Sequence, residues 1–352
     1  MFIFIYQYTM TPKYNQYGYV GLANLGNTCF LNSCLQALSH TYELNLLLDV
    51  TDKRNNNEDS KILDEWNELR KIIWSNNGVI SPNKFVTSVQ TVAKTKNIDI
   101  FTGWSQNDIS EFLLFMLDCI HNSFARPVTV RVSGKKENGL DELAVQCYDH
   151  LKDNYGREYS EIMEMFYGLH VTELLSIDRK TKHIIKPEQY FITDLPIPTK
   201  ENITIYDCFD LYTEEEKLQG DNAWYNEKTK TKEDIIKRTR FWNFPNVLVI
   251  TLARFSADGT NKRNDKISFP LDDLDLSKYV CGYKPKSYVY ELYAICNHSG
   301  GVFRGHYTAF VKNYTGNWFL FNDNNVQKVS EPSSIITPMA YCLFYRKKNT
   351  TL

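Results

Sequence analysis

One cysteine of this 352-residue chain follows a glycine-containing turn and precedes an apolar stripe with helical spacing. Cys29 comes directly after Gly26-Asn27-Thr28, and the stripe occupies residues 30–38. This pattern predicts that the sulfur lies in the first turn of a helix, where unpaired N–H groups and the helix dipole stabilise a thiolate. Because the thiolate is the reactive form, Cys29 is a candidate nucleophile. The alternative is a small buried residue at the start of a core helix, the commoner state of a free cysteine.

A thiolate that attacks an amide also needs hydrogen-bond donors for the negative charge that develops on the carbonyl oxygen. The backbone N–H of Cys29 is one such donor. Asn24 stands five residues earlier in the sequence and can supply a side-chain N–H from across the turn. The residues leave a second interpretation equally open, in which the Asn24 side chain only caps its own turn.

The base for such a cysteine must be sought among seven histidines. His306 follows Gly305, which permits close backbone approach, and it precedes an alternating segment typical of a strand. His298 lies at the end of the preceding predicted strand, so a hairpin would bring the two histidines near each other. For either residue the alternative is a ring that is merely hydrogen-bonded to a backbone carbonyl, the commoner case.

A histidine base needs a third group that accepts a hydrogen bond from its other ring nitrogen. Asn322 and Asp323 directly follow the next predicted strand. Adjacent antiparallel strands would place this pair beside His306. The alternative is a simple Asn-Asp turn, which is the commoner occurrence of such a pair.

The elements that must position these residues divide the chain into two parts. Residues 21–167 have mainly helical periodicity, whereas residues 168–348 contain short segments rich in Val, Ile, Tyr and Phe. Residues 1–20 show no clear period and are interpreted as an N-terminal extension. We therefore predict an α+β fold, with a helical lobe packed against a mostly antiparallel β lobe.

Individual elements follow from the same patterns. Helices are predicted over residues 30–38, 62–73, 82–93, 109–120, 140–151 and 205–212. Strands are predicted over residues 247–252, 288–295, 306–311, 318–321 and 341–345. Asn27 and Thr28 are expected to cap the first of these helices.

Composition limits the class of protein. The chain is 43% hydrophobic and 23% charged, as in globular proteins, and its net charge of -2 gives no basic bias toward nucleic acid. The longest apolar run near the N-terminus, residues 1–6, is too short for a signal peptide or a membrane span. The eight cysteines form no CxxC pair, which fits a reducing compartment. We expect a soluble protein of the cytoplasm, with the nucleus as an alternative, and no membrane partner.

Five sequence blocks together resemble the ubiquitin-specific protease family, a group of cysteine deubiquitinases. The cysteine block is residues 21–33, and the histidine block comprises residues 298–300, 305–308 and 318–323. Residues 106–112, 252–255 and 343–345 are similar to the family's Q-x-D-x-x-E-F, L-x-R-F and closing-strand segments. The resemblance implies a papain-like peptidase fold with a helical thumb, followed by a mostly antiparallel β palm and fingers.

The resemblance also implies a role for each site residue. Cys29 would be the nucleophile, His306 the base, and Asn24 part of the oxyanion hole. Asn322 occupies the third position of the triad, and Asp323 the adjacent acidic position. Because Asn322 is neutral, we expect Asp323 to matter more than usual, since its charge would stabilise the imidazolium.

Substrate contacts and cofactors are implied in the same way. The residues expected to bind ubiquitin are Gln106, Asp108, Glu111, Phe112, His298 and Tyr307. Many members of the family bind zinc through two CxxC pairs in the fingers, but residues 174–186 and 226–229 contain no cysteine. We therefore expect no metal and no cofactor, and finger hairpins that hold through strand pairing and aromatic packing.

The implied activity is hydrolysis of the bond after the C-terminal glycine of ubiquitin, through a thioester on Cys29. Its partners would be ubiquitin and ubiquitinated proteins, and the protein is expected to be a monomer. Two alternatives stay open: a deconjugase of another ubiquitin-like modifier, and an inactive ubiquitin-binding module.

Overall fold

The computed structural model describes residues 13–51, 54–103, 105–256, 258–302 and 304–348. The helices are α1 (Lys13–Gln16), α2 (Cys29–Ser39), α3 (Tyr42–Val50), α4 (Ser60–Ile73), α5 (Asn83–Thr95), α6 (Ile109–Phe124), α7 (Gly139–Arg157), α8 (Glu161–Phe166) and α9 (Ile205–Tyr212). The strands are β1 (Gly21–Leu22), β2 (Val79–Ile80), β3 (Gly168–Ser176), β4 (Lys182–Tyr190), β5 (Ile192–Leu195), β6 (Glu216–Leu218), β7 (Trp224–Asn226), β8 (Thr231–Glu233), β9 (Ile235–Asn243), β10 (Val247–Leu252), β11 (Leu274–Asp275), β12 (Val289–Gly300), β13 (Gly305–Lys312), β14 (Trp318–Asn322), β15 (Asn325–Lys328) and β16 (Ala340–Lys347). The predicted α+β class is confirmed. Within the described ranges, none of the helices combines the length and the apolar character needed to cross a membrane.

Helix α2 is the central helix of the N-terminal half, and all of its residues are buried. It packs against α6 on one side and against β12 and β13 on the other. Its buried polar side chains therefore need partners inside the protein, and Gln36 Nε2 donates to the Val20 carbonyl at 2.8 Å. Because α2 lies between the helices and the sheet, its first residue, Cys29, lies at the boundary between the two halves.

The main β structure is an eight-stranded sheet, here called the palm sheet. Its order is β15-β14-β13-β12-β16-β10-β5, with β11 paired to β12, and only the β10–β5 pairing is parallel. The hairpin β12–β13 pairs Ser299 with His306, and β13 pairs with β14 through Ala309 and Phe321. The start of β13 and the end of β14 therefore lie at one edge of the sheet, which brings His306 and Asn322 side by side.

A second sheet, here called the finger sheet, has four strands in the order β4-β3-β9-β6. Strand pairing holds it as predicted, but a buried charge network adds to that pairing. Glu173 has no exposed side-chain area, and its carboxylate lies 2.7 Å from Arg238 Nε, 2.8 Å from Arg240 Nη2 and 3.3 Å from Lys182 Nζ. Such a cluster was not foreseen from the sequence, since these residues lie on three different strands.

Most predicted elements are present. The six predicted helices correspond to α2, α4, α5, α6, α7 and α9, and the five predicted strands to β10, β12, β13, β14 and β16. Helix α3 was missed because it follows α2 after two residues, and α8 because six residues are too short to show a period.

The predicted N-terminal extension begins to pack against the domain before its expected boundary at Gly21. Tyr14 is 2% exposed, and its ring meets the Trp74 ring edge-on at a centroid distance of 4.7 Å. Gly18 also lies against Trp74, where a Cβ would come within 2.5 Å of the indole. Tyr14 and Gly18 thus pack against the helical half, and residues 1–12 of the predicted extension lie outside the described residues.

Candidate active site

The loop before Cys29 reverses the chain sharply. Gly26 and Asn27 both adopt left-handed backbone conformations, with φ of 105° and 55°, which suit these two residue types. Thr28 stands at the N-cap position, but its hydroxyl accepts from the Leu25 N–H at 2.9 Å and makes no cap to the helix. The predicted side-chain cap is therefore wrong, because the threonine stabilises the turn instead.

The Cys29 thiol is 3% exposed, and its surroundings act on its pKa in opposite directions. Burial raises the pKa of the Cys29 thiol above its ordinary value, and the negative charge of Asp323 acts in the same sense. Hydrogen bonds from the backbone N–H groups of Tyr307, Phe30 and Cys29 itself lower this pKa. The N–H groups at the start of α2 favour the thiolate, as the sequence predicts, but burial has the larger effect and the pKa is raised overall.

His306 lies at the start of β13 with its ring held by Asn322. The distance from His306 Nε2 to Asn322 Oδ1 is 2.7 Å. An amide oxygen can only accept, so Nε2 carries the hydrogen and Nδ1 keeps a lone pair for a proton. In the part of the chain that the structure describes, the His306 ring and the Cys29 sulfur make no hydrogen bond. The backbone N–H of Tyr307, the residue after His306, is instead the polar group of β13 that lowers the pKa of the thiol.

Asp323 points away from the imidazole and toward the nucleophile loop. Its Oδ2 accepts from Asn24 Nδ2 at 2.9 Å, and its Oδ1 accepts from Asn32 Nδ2 at 2.8 Å. Its carbonyl accepts from the Leu22 N–H at 2.9 Å. Asp323 therefore joins the palm sheet to the cysteine block. Both carboxylate oxygens bind asparagine amides, so the expected effect of Asp323 on the imidazolium would act through its charge and stays a prediction.

The side chains of Asn322 and Asp323 point in opposite directions because of the turn that follows β14. Asn322 pairs with Asn325 across β14 and β15, so Asp323 is the first residue of a two-residue turn, with φ of 49°. Side chains alternate along a strand, and the left-handed turn residue continues that change of direction. The sequence shows the two residues as neighbours but not this reversal.

Asn24 makes hydrogen bonds through both atoms of its amide. Its Oδ1 accepts from the N–H groups of Gly26 at 3.0 Å and Thr28 at 3.2 Å, so the side chain does cap its turn. Its Nδ2 is the donor to Asp323. The hydrogen bond to Asp323 thus fixes the amide nitrogen of Asn24, an exposed residue five positions before the buried Cys29.

Gln106 fixes the backbone immediately before the base. Its Nε2 donates to the Gly305 carbonyl at 2.8 Å, and its Oε1 accepts from the Gly305 N–H at 3.0 Å. Gly305 is required here, because a Cβ at this position would lie 2.0 Å from His298 Nε2. The close approach predicted for this glycine is therefore to the second histidine.

His298 is a core residue, 5% exposed. Its ring centroid lies 4.7 Å from that of Tyr307 and 5.4 Å from that of Phe255. Burial lowers the pKa of His298 to about 4, and the nearby charge of Lys262 acts in the same direction. The His298 ring is therefore neutral near pH 7.

The residues expected to bind substrate fall into two groups. Gln106 and Glu111 are exposed, whereas the side chains of Phe112, His298 and Tyr307 are at most 6% exposed. These three side chains offer no surface to a protein partner, so the prediction that they contact it directly is corrected. They pack around the site, as where the rings of Phe112 and Phe30 meet with centroids 5.5 Å apart.

Asp108, the sixth of these residues, has structural partners. Its Oδ1 accepts from the Ser110 N–H at 2.7 Å and so caps α6, while its Oδ2 accepts from the Tyr341 hydroxyl at 2.8 Å. Asp108 thereby ties α6 to the palm sheet. Sequence reasoning missed Tyr341 as its partner, because nothing local links residues 233 positions apart.

Asn32 was also missed, although a signal was available. It is a polar residue three positions after Cys29 inside an otherwise apolar helical stripe. It is 2% exposed, and its Nδ2 donates to Asp323 and to the Leu22 carbonyl. A buried amide on the helix of a nucleophile needs a partner, and here that partner comes from the palm sheet.

Comparison with known proteins places this arrangement in a family. A family profile described as ubiquitin carboxyl-terminal hydrolase matches residues 20–345. "Ubiquitin carboxyl-terminal hydrolase 2" of Homo sapiens is 36% identical over 351 residues, which cover 93% of this chain and 55% of the relative. "Ubiquitin carboxyl-terminal hydrolase 21" of Homo sapiens is 32% identical over 356 residues, which cover 94% of this chain and 61% of the relative. The chain thus spans just over half the length of the curated relatives it matches.

A solved structure shares the fold. It is a SAGA DUB module of Ubp8, Sgf11, Sus1 and Sgf73 bound to monoubiquitin, and the match has a TM-score of 0.71 at 24% identity. It covers 98% of this chain and 72% of that chain. With the profile over residues 20–345 and relatives at 32–36% identity, the chain belongs to the ubiquitin carboxyl-terminal hydrolase family.

Proposed function

We propose that this protein is a thiol-dependent deubiquitinating protease that hydrolyses the bond after the C-terminal glycine of ubiquitin. The observation that carries the proposal is the His306 ring, held by Asn322 at 2.7 Å and next in sequence to Tyr307, whose backbone N–H lowers the pKa of the Cys29 thiol. The names of the curated relatives and the monoubiquitin bound to the Ubp8 module support ubiquitin as the modifier.

Catalysis begins with proton transfer from the thiol to the base. The pKa of Cys29 is raised in the free protein, so the sulfur carries its proton until His306 Nδ1 removes it. Asn322 keeps the other nitrogen in place while the ring becomes charged, and it orients the imidazolium without adding a negative charge. Movement of the ring toward the sulfur completes the pair when the modifier binds, as catalytic contacts often tighten only in the complex.

The thiolate then attacks the carbonyl carbon of the terminal glycine. The backbone N–H of Cys29 and the second Nδ2–H of Asn24 donate to the oxyanion, while the first Nδ2–H stays on Asp323. His306 returns the proton to the leaving lysine nitrogen, and the acyl group stays on the sulfur as a thioester. Water deprotonated by His306 then hydrolyses the thioester and restores the thiol.

The proposed activity also implies partners, an oligomeric state and a cellular location for the protein. Ubiquitin and ubiquitinated proteins are the proposed partners, and the protein is proposed to act as a monomer. Its eight scattered cysteines support the cytoplasm as its location, with the nucleus as the alternative. No metal or cofactor is needed for this thiol chemistry.

A fluorogenic amide of the ubiquitin C-terminus tests the proposal. Wild type is expected to release the fluorophore, and Cys29→Ala is expected to bind ubiquitin without releasing it. If wild type binds ubiquitin but never cleaves, the protein is an inactive binding module. If it cleaves only the tail of another ubiquitin-like modifier, it is a deconjugase of that modifier. Either result overturns the proposal.

A further inference from the structure

Lys262 reaches from one loop of the palm to the backbone of the strand that precedes the base. Its Nζ donates to the His298 carbonyl at 2.7 Å and to the Gly300 carbonyl at 3.1 Å. Both carbonyls lie at the end of β12. One ammonium group therefore binds two carbonyls that lie two residues apart at the end of the same strand.

These carbonyls belong to the strand that pairs directly with the start of β13. His298 pairs with Tyr307, Ser299 with His306, and Gly300 with Gly305. The Ser299 hydroxyl also donates to the His306 carbonyl at 3.2 Å. A group that fixes the end of β12 therefore fixes the backbone that carries the catalytic imidazole.

Lys262 is itself anchored by the segment around it. Phe255 and Lys262 form an antiparallel bridge, and Arg254 Nη1 donates to the carbonyls of Arg263 at 3.1 Å and Asp265 at 3.0 Å. The Arg254 side chain is buried, with 1% of the residue exposed, and its Nε donates to the Ala340 carbonyl at 2.7 Å. The base of this loop is thus fixed to β16, so the lysine reaches β12 from a rigid support.

The contacts of Lys262 differ from those of an ordinary surface lysine. Among the residues that the structure describes, no carboxylate lies within salt-bridge distance of its ammonium, whose partners are the two carbonyls and the Phe255 ring at 6.0 Å. Burial lowers the pKa of Lys262, and the charge of Arg254 adds to this effect. Holding a half-buried cation against carbonyls costs solvation, so the contacts are not those of a solvated side chain.

We propose that Lys262 is a positioning residue for the base: by holding the end of β12, it sets the register and orientation of the strand start that presents His306. The inference rests on the proposed function, in which His306 takes the proton from Cys29. Gln106 holds Gly305 from the helical side, and Lys262 holds the paired strand from the palm side. The base is thereby fixed from both halves of the protein.

The test compares Lys262→Met, which keeps the length of the side chain and removes its donors, with Lys262→Arg, which keeps a cation. Lys266→Met is the matched control, because Lys266 is an exposed lysine of the same loop. Two quantities are measured: kcat and KM on the fluorogenic ubiquitin amide, and backbone hydrogen exchange of peptides that cover residues 298–307. Hydrogen exchange does not depend on whether the protein cleaves ubiquitin.

For Lys262→Met we expect kcat to fall about tenfold with little change in KM, as for the loss of hydrogen bonds from a charged group. Hydrogen exchange over residues 298–307 should become faster in Lys262→Met. Lys262→Arg should show a smaller fall in kcat, and Lys266→Met should match wild type in both kcat and exchange. A rise in KM at unchanged kcat, or unchanged exchange in Lys262→Met, would overturn the inference. A wild type without activity would overturn the proposed function instead, and hydrogen exchange alone would then decide whether Lys262 holds the strand.

Discussion

Asp323, in the turn between β14 and β15, accepts a hydrogen bond from Asn24 at 2.9 Å and so joins the palm sheet to the loop that carries the nucleophile. The same carboxylate binds Asn32 on α2. One acidic residue therefore fixes both the proposed oxyanion donor and the helix of the nucleophile. Asn322, its neighbour, binds the His306 ring instead.

The first prediction concerns the coupling of Asn24 and Asp323. Asn24→Ala is expected to lower kcat roughly a hundredfold, as for the loss of one oxyanion donor. If Asp323 acts through Asn24, Asp323→Ala added to Asn24→Ala should cost much less than Asp323→Ala alone. Steady-state kinetics of the two single variants and the double variant measure this coupling. If the fold-decrease in kcat of the double variant equals the product of the decreases in the two single variants, the two residues act independently.

The second prediction separates the charge of Asp323 from its hydrogen bonds. Burial and the Asp323 carboxylate both raise the pKa of the Cys29 thiol, so alkylation of Cys29 by iodoacetamide should rise with pH and have its midpoint above the ordinary thiol value of 9.0. Removing the negative charge in Asp323→Asn should lower this midpoint, even though turnover falls. Mass spectrometry of the Cys29 peptide over a pH series gives the midpoint.

The matched control is Asp221→Asn, which removes an exposed carboxylate from the segment between β6 and β7. Its midpoint should equal that of wild type. An unchanged or higher midpoint in Asp323→Asn would contradict the electrostatic role given to this carboxylate.

The third prediction concerns Asn322. In Asn322→Ala the His306 ring loses the partner that fixes its tautomer and orientation, so kcat should fall roughly a hundredfold, in the range typical of general-base catalysis. KM should change little, since Asn322 contacts the base and not the docking surface. His306→Ala provides the lower limit of activity. Full activity in Asn322→Ala would show that another group orients the base.

The sequence predicts the members of this site better than their contacts. The cysteine and histidine blocks identify Cys29, His306 and Asn322, because the chemistry requires these residue types at the ends of predicted elements. They do not show that Asp323 faces Asn24, since the reversal depends on a left-handed turn residue with φ of 49°. Burial of Cys29 appeared from the sequence only as the alternative to a nucleophile, and the contact of α2 with β13 could not be predicted because β13 belongs to the other half of the chain.

The same distinction holds for the fold. Helices with a long apolar stripe, such as α4 and α6, are evident from periodicity, and so is the α+β division. The packing of Tyr14 onto Trp74 could not be predicted, because the contact joins residues without a common local pattern. Phe112 was assigned to substrate binding from its position in a motif, although its place on the apolar face of α6 already favoured the core.

The fourth prediction concerns the finger sheet. Glu173→Ala would leave Arg240 without its carboxylate partner and Arg238 with only the longer contact to Glu215 at 3.5 Å. Loss of one member of a buried ion pair costs about 3–5 kcal/mol of unfolding free energy, and we expect a smaller loss here because both arginines are partly exposed. Burial raises the pKa of Glu173, but its ion pairs with Arg238 and Arg240 act more strongly together, so the pKa is lowered from 4.5. The stabilisation is therefore fully present above pH 4.5 and is lost as pH falls through the lowered value.

Urea unfolding of wild type and Glu173→Ala at pH 7 and pH 4 measures this effect. The difference in unfolding free energy should be larger at pH 7 than at pH 4. Glu227→Ala is the control, since Glu227 pairs with Lys230 in an exposed turn and should change stability little. Equal stability of Glu173→Ala and wild type at pH 7 would show that the network contributes nothing net.

The most direct test of the central claim is covalent capture of the nucleophile by ubiquitin that carries an electrophile in place of its terminal glycine. We expect a single adduct on Cys29, abolished in Cys29→Ala and strongly slowed in His306→Ala, with the other seven cysteines unmodified. An adduct on a different cysteine, or no adduct with correctly folded wild type, would contradict this claim.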